Sequence, residues 1–231
     1  PGVNTDTHRY LQTGHGASKF GFPLENGDAK AALLRILSEG YLELSGLHAH
    51  SGTMLRETRP YQESLHRLLE LAFEVYRETS WWPKEISPGG GWAIETSDNV
   101  VTPGVEVLVQ ALQITIEQEL SSLRETLPVP TLIIEPGRSI IARAGIAIYR
   151  IGARKSTTAG VTYLFVDGGM ADNIRPALYG AQYTALAVER MAAPPEESVC
   201  IAGRYCESGD ILIENIMLPR MHEDELLALP T

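Results

Sequence analysis

The strongest constraint in this chain is a change of rhythm at one short stretch, Thr131-Leu-Ile-Ile-Glu135-Pro-Gly-Arg138-Ser139. Before it, short apolar runs alternate with long amphipathic ones; after it, strand-like runs follow one another with turns between. An apolar run of this length halted by Pro-Gly reads as a strand buried on both faces. Arriving after strand–helix alternation, it belongs to a parallel sheet or barrel, and such folds place their chemistry at strand carboxyl ends, where Glu135 and Arg138 stand. Taken alone, the two residues read as a surface ion pair beyond a core strand. The neighbouring motifs decide between these readings.

Upstream, Lys19-Phe-Gly-Phe22 is a short strand candidate ended by Pro23 and the Asn26-Gly27-Asp28 turn. A helix with Ala29, Leu33 and Leu37 on its apolar side stops at Gly40, and residues 42–50 form the next strand. From Arg59 to Thr79, Leu65, Leu68, Leu69, Ala72, Phe73 and Tyr76 fall at helical spacing with charges between them. A brief strand near 84–87 runs into Pro88-Gly-Gly-Gly91. Thr102-Pro103 supplies a cap and first-turn pair for a helix carrying Val105, Leu108, Leu112, Ile116, Leu120 and Leu123 on one face. Beyond Arg138 the strand-like runs are 146–153, 162–167, 200–203 and 210–213, with 181–190 the one helical candidate. The pattern predicts an α/β first part, a parallel sheet or barrel over residues 1–139, and a mainly β second part over 140–231.

With 231 residues, 44% hydrophobic and 21% charged, the chain has the composition of a soluble globular protein. A net charge of −10 argues against a general nucleic-acid binder and leaves room for one anion in a local pocket. Cys200 and Cys206 are too few for a disulfide framework. No run has the length of a membrane span and no signal-peptide pattern opens the chain, so the expected setting is reducing and cytoplasmic. The opening at Pro1, without an initiator Met, predicts an internal piece of something longer.

Four motifs bear on chemistry. His48-Ala-His50 ends a strand, and period two puts both imidazoles on one side of it. A metal pair at a barrel mouth needs further ligands from later strand ends. His66, on a helix, and His222, near the tail, do not follow strands, so His48 reads as a core histidine or one supporting a neighbour, and His50 as available for stacking or hydrogen bonding. Gly89-Gly90-Gly91 follows a strand directly. It fits neither the P-loop nor the dinucleotide fingerprint, and reads as a tight turn or as a backbone cradle for an anion. Asp167-Gly-Gly-Met-Ala-Asp172-Asn173-Ile-Arg175-Pro-Ala-Leu-Tyr179-Gly180 and Cys206-Glu207-Ser208-Gly209-Asp210 are polar, turn-rich segments. A Cys beside a Glu in a reducing compartment is a candidate proton donor.

Taken in order, Ser-Lys-Phe-Gly, Gly-Leu-His-Ala-His-Ser-Gly-Thr, Gly-Gly-Gly, Glu-Pro-Gly-Arg-Ser, Val-Asp-Gly-Gly-Met with Arg-Pro-Ala-Leu-Tyr-Gly, and Cys-Glu-Ser-Gly-Asp span nearly the whole chain. The series resembles the pyridoxal-phosphate decarboxylases of barrel type, which act on ornithine, arginine and diaminopimelate. Their architecture, an alanine-racemase-like β/α barrel followed by a β domain, agrees with the change of rhythm.

The resemblance implies a role for each motif. Glu135 faces the pyridine nitrogen of pyridoxal 5'-phosphate, and His50 stacks on the ring. Gly89, Gly90, Gly91 and Gly137 give backbone N–H groups to the phosphate, with the Thr53 hydroxyl beside them. Arg138, which belongs to the same cofactor-binding segment, joins Arg175 and Tyr179 in holding the carboxylates of an amino-acid substrate. Cys206 and Glu207 reach the active site of a partner subunit in a homodimer, Cys206 to return a proton and Glu207 to hold the distal amine. No metal, nucleic acid or membrane is implied.

The sequence departs from the family pattern at Ser51-Gly52-Thr53 and at Trp92-Ala93, and it lacks the lysine that carries the cofactor. None of Lys19, Lys30, Lys84 and Lys155 has the Tyr-Ala-x-Lys-Ala-Asn-like context, and the family's terminal Gly-Ala-Tyr segment is missing too. The expectation is a portion of a decarboxylase, with barrel and β domain both incomplete and the piece inactive by itself. Glu207 and Arg175-Pro-Ala-Leu-Tyr179 favour meso-2,6-diaminopimelate, decarboxylated to L-lysine and CO2. Ornithine, arginine or a carrier-tethered amino acid on the same fold is the alternative, and a metal-dependent hydrolase built on His48 and His50 a further one.

Overall fold

The computed structural model describes residues 2–3, 18–95, 101–122 and 126–230. Most of the polar opening, and Leu123 at the end of one predicted helical face, lie outside them. Two compact units divide the chain, the first made of Pro1–Ile94 and Thr102–Ile140 and the second of Glu95–Val101 and Ile141–Thr231.

The first unit alternates helix and strand: α1 (Asp28–Ser38), β1 (Gly46–His48), α2 (Arg59–Thr79), β2 (Glu85–Ser87), α3 (Val105–Ser121) and β3 (Thr131–Leu132). The strands form one parallel sheet in the order β1-β2-β3, with His48 opposite Ser87 and Ile86 opposite Leu132. α2 begins with Pro60 in its first turn, where a missing N–H costs nothing, and stops at Ser80 in the left-handed conformation, φ 60°. Its apolar stripe, Leu65, Leu68, Leu69, Ala72 and Val75, packs into one core with Ile86 of β2 and with Leu112 and Ile116 of α3. The helical period legible in the sequence is therefore the period of burial.

Three expectations fail in this unit. Lys19-Phe-Gly-Phe22 forms bends rather than a strand, with Phe20 59% and Phe22 66% exposed. Thr102-Pro103 precedes its helix, which Gly104 caps with extended backbone. The Thr131 strand is not buried on both faces: it is two residues long, paired with β2 alone among the described residues, with Thr131 exposed, Leu132 half-buried and Ile133 beyond it 38% exposed.

α4 (Gly137–Ile141) follows the Glu135-Pro-Gly turn. The second unit then holds β4 (Ile146–Ser156), β5 (Thr162–Val166), α5 (Arg175–Tyr179), β6 (Leu186–Ala187), β7 (Glu197–Ala202), β8 (Ile211–Leu218) and β9 (Leu226–Pro230). Its sheet runs β6-β9-β4-β5-β7-β8, antiparallel throughout except between β5 and β7, which are parallel. Ile151, Leu164, Val199, Ile201, Leu212 and Leu227 fill its core. Residues 181–190, read as a helix, instead give the short β6 and a 3-10 turn at Val188–Arg190. Ala185 and Ala187 both point into the core, a period of two that overrides the helix preference of alanine. Helix α5 escaped the sequence reading; Pro176 starts it and Gly180, at φ 62°, ends it. Among the described residues no helix is long and apolar enough to cross a membrane.

Candidate active site

The parallel register draws three carboxyl ends of the first unit together. β1 ends at His48 beside Ser87, and an isolated parallel bridge joins Gly90 to Glu135 beyond β3. Glu135 Oε1 lies 2.9 Å from His48 Nε2 and accepts a longer bond, 3.4 Å, from Ser87 Oγ. Because an ionised carboxylate can only accept, the hydrogen between Glu135 and His48 sits on Nε2. Gly89 N–H donates to Ser87 Oγ at 3.1 Å, and Glu135 N–H donates to Gly89 O at 3.2 Å. The carboxylate is thus tied by side chain and main chain to both neighbouring strand ends.

Gly90 N–H donates to His50 Nδ1 at 3.3 Å. An accepting Nδ1 belongs to the neutral imidazole with its hydrogen on Nε2. Burial agrees, pushing the His50 pKa down against a smaller opposing pull from Glu135. A neutral ring is the form suited to packing against an aromatic face. Alongside β1 lies a crevice of about 640 Å³ that includes His48 and His50, walled by Phe22, Leu33, Leu47 and Leu68 among others.

The triple glycine is set by close approach. A Cβ on Gly90 would collide with the Glu135 carbonyl, and one on Gly91, at φ +89°, with the Gly52 carbonyl. Gly89, at φ +85°, lies against Ala49 and His50 in the same way. The turn therefore draws the Ala49–Thr53 segment and Glu135 together. The N–H groups of Gly89 and Gly90 are donated within the chain, as is that of Gly137, to Glu135 O at 2.9 Å. Gly137 differs in having nothing within 4 Å of where a Cβ would stand, so its backbone is open to a bound group. Arg138 and Ser139 follow it in α4. Trp92, one of the departures from the family pattern, is a core residue: its ring packs against Tyr61 at 5.7 Å and its Nε1 donates to Pro103 O at 3.0 Å.

A carboxylate fixed at a strand end, a neutral imidazole beside it and an open glycine turn fit a heteroaromatic ring that bears a basic nitrogen and a phosphate. Three of the four lysines of this chain have other partners. Lys30 pairs with Glu78 and Glu74, Lys84 with Glu43 at 2.5 Å, and the Lys19 ammonium stands 5.0 Å over the Phe20 ring.

The second unit carries the other candidates on two loops. Arg175 and Tyr179 begin and end α5, and Arg175 N–H is bonded to Asn173 Oδ1 at 3.3 Å. Cys206, an exposed free thiol, and Glu207 lie on the loop between β7 and β8. His48, read as a core histidine or one supporting a neighbour, is 54% exposed and bonded to Glu135, so it supports a neighbour and does not belong to the core. Sequence reasoning missed one feature. Asp210 received no role, yet it is 2% exposed and accepts two backbone N–H groups. Its position at the end of Cys-Glu-Ser-Gly-Asp, the one acid just ahead of an apolar strand, was the available signal.

The family described as "Pyridoxal-dependent decarboxylase, C-terminal sheet domain" matches residues 23–231. Diaminopimelate decarboxylase of Bacillus methanolicus is 37% identical over 230 residues, and that of Actinosynnema pretiosum 38% over 233. The matches take 99% and 100% of this chain but 52% and 51% of those proteins, so the chain spans about half the length of the curated relatives it matches. Among solved structures, diaminopimelate decarboxylase of M. jannaschii superposes with a TM-score of 0.85 at 29% identity, covering all of this chain and 51% of the other. The Helicobacter pylori diaminopimelate decarboxylase complexed with L-lysine gives 0.83 at 25% identity, covering all of this chain and 54% of the other.

Proposed function

Because this chain belongs to the pyridoxal-dependent decarboxylases, we propose that the whole protein removes one carboxyl group from meso-2,6-diaminopimelate, releasing L-lysine and CO2. The carrying observation is Glu135, held at a strand end by His48 and Ser87 with the neutral His50 beside it. The similar proteins named above, one of them complexed with L-lysine, support the substrate. In this reading residues 1–139 are the later part of the barrel and 140–231 part of the β domain, in a cytoplasmic homodimer.

Pyridoxal phosphate, when bound, supplies the electron sink that accepts the pair left as the carboxyl carbon departs. Glu135 keeps a proton on the ring nitrogen, and His50 presents its uncharged face to the ring. Gly89, Gly90, Gly91 and Gly137, with the Thr53 hydroxyl, would hold the phosphate. Arg138 and Arg175 bind substrate carboxylates with their planar forks, and Tyr179 adds a hydroxyl. From a second copy of the chain, Glu207 holds the distal amine and Cys206 Sγ delivers a proton to the α-carbon.

The test is the full-length protein loaded with pyridoxal phosphate and offered meso-diaminopimelate, with CO2 and lysine measured. Stoichiometric appearance of both is expected. Turnover of ornithine or arginine in place of diaminopimelate would move the substrate, and a protein that takes up no cofactor would end the proposal.

A further inference from the structure

We propose that Asp210 is a positioning residue that sets two substrate-binding loops of the second unit together: the one carrying Cys206 and Glu207 and the one leading to Arg175 and Tyr179. The inference rests on the roles proposed above for those four residues.

Asp210 stands at the foot of the loop between β7 and β8, just before β8 begins, and is 2% exposed. A buried carboxylate is tolerated only where strong donors replace water. Here its two oxygens are divided. Oδ2 accepts Tyr205 N–H at 2.8 Å, inside its own loop, and Oδ1 accepts Met170 N–H at 2.6 Å, inside the loop that follows β5. Two glycines make room for it. A Cβ on Gly203 would strike the carboxylate, and one on Gly169 would come within 2.7 Å of both oxygens. Gly169 of Val-Asp-Gly-Gly-Met and Gly203 of Ala-Gly-Arg-Tyr-Cys are thus accounted for by one acid, far from the first of them in sequence, whereas Gly168 makes room for Tyr149 and Asp172.

From Asp210 the bonding runs both ways. Gly203 N–H and Asp210 O close the Cys206 loop at 2.8 Å, and Asp210 N–H donates to Glu207 O at 3.0 Å. Arg204 N–H donates to Gly168 O at 3.0 Å, a second tie between the loops. On the other side, Gly169 O accepts Asp172 and Asn173 N–H at 3.0 and 3.1 Å, and Asn173 Oδ1 receives Arg175 N–H. The carboxylate is the one side chain in this chain of bonds that touches both loops. It needs two acceptor oxygens: an amide offers one and turns an NH2 toward the other N–H.

The experiment uses the full-length holoenzyme with Asp210→Asn, Asp210→Glu, Cys206→Ala and the Cys206→Ala/Asp210→Asn double variant. Site-resolved alkylation by iodoacetamide compares Cys206, exposed, with Cys200, buried. For Asp210→Asn the rate at Cys206 is expected to change severalfold while Cys200 stays protected, and kcat to fall about tenfold or more, the scale of one lost charge-assisted bond. On the Cys206→Ala background the same substitution should still raise KM, because Glu207, Arg175 and Tyr179 lose their placement too, but its effect on kcat should shrink, since the part that runs through Cys206 is already gone. Wild-type labelling and kcat in Asp210→Asn would overturn the proposal, as would a double variant in which the kcat losses multiply fully and KM stays at the Cys206→Ala value. If Asp210→Asn also releases Cys200, Asp210→Glu decides, since it keeps both acceptors but displaces them. The proposal then requires altered Cys206 labelling with Cys200 protected, and release of Cys200 in both variants makes Asp210 an ordinary core acid and refutes it. Should Cys206→Ala leave turnover unchanged, the catalytic role of Cys206 fails instead, and the labelling ratio alone still decides the clamp.

Discussion

His48 Nε2 and Glu135 Oε1 lie 2.9 Å apart, linking the end of β1 to the turn beyond β3. The bond occupies one carboxylate oxygen and leaves the other for the ring nitrogen that Glu135 is proposed to face. It also fixes the plane of the carboxylate, with Ser87 adding a weaker hold on the same atom. His48→Phe in the full-length protein should therefore cut kcat about tenfold, the scale of a lost hydrogen bond to a charged group. The fold should survive, since His48 is 54% exposed. His48→Gln, which keeps an N–H donor, should recover part of the loss. Wild-type turnover and cofactor affinity in the Phe variant would show that the bond does not matter.

Glu135→Gln asks more of the same position. The neutral amide cannot hold a proton on the ring nitrogen, so turnover should fall by orders of magnitude while circular dichroism and melting temperature stay near wild type. A variant with near-normal turnover would remove Glu135 from this role.

The glycine turn and the glycine beyond Glu135 make opposite predictions for the same substitution. Gly91→Ala forces a Cβ onto the Gly52 carbonyl at φ +89° and should destabilise the fold by more than about 1 kcal/mol. Gly137→Ala meets nothing within 4 Å and should leave melting unchanged. A loss of pyridoxal-phosphate affinity in Gly137→Ala thus reports on the bound group, where the same loss in Gly91→Ala does not. Unaltered affinity in Gly137→Ala would take that residue off the phosphate.

What was legible in the sequence followed from local chemistry. Pro136-Gly137 cuts an apolar run, so the position of Glu135 past a strand could be read directly; the 3.6-residue stripe of α2 was equally plain. What was not legible depends on pairings distant in sequence. Whether a face of the Thr131 strand is covered depends on which elements pack on it, and those lie elsewhere in sequence. The partner of His48 is set by the register of three parallel strands, which no local signal fixes. Asp210 serves N–H groups on two loops, and a backbone donor leaves no mark in the side-chain sequence except the glycines that make space for the acid. β6 was lost to the helix preference of its alanines, because two paired residues are too short a run to show a period.

Acid stability should depend on Glu197. Arg154 grips it with both terminal nitrogens, at 2.6 and 2.7 Å, and these bonds hold its carboxyl below the usual value near 4.5. A carboxyl with a lowered folded pKa adds stability that is complete above its unfolded pKa and disappears as pH falls through the folded one. Glu197→Gln should cost about 1–2 kcal/mol at pH 7. The difference from wild type should shrink below about pH 4.5, since protonation then removes the charge from the wild type as well. Urea unfolding at several pH values measures it, and a gap that does not narrow in acid would contradict the assignment.

The shared active site can be tested with two defective proteins. Cys206→Ala disables the loop proposed to serve a partner, and Glu135→Gln disables the cofactor position in its own chain. Mixed with free exchange, half the dimers carry one copy of each. In such a dimer one site pairs the intact Glu135 of the first variant with the intact Cys206 of the second, while the other site holds both defects. Activity should therefore recover to about a quarter of wild type if sites act independently in a twofold dimer. Were Cys206 to serve its own subunit, every site in the mixture would carry one defect and nothing would be recovered. Absence of recovery after demonstrated subunit exchange would therefore place Cys206 in its own site or outside catalysis.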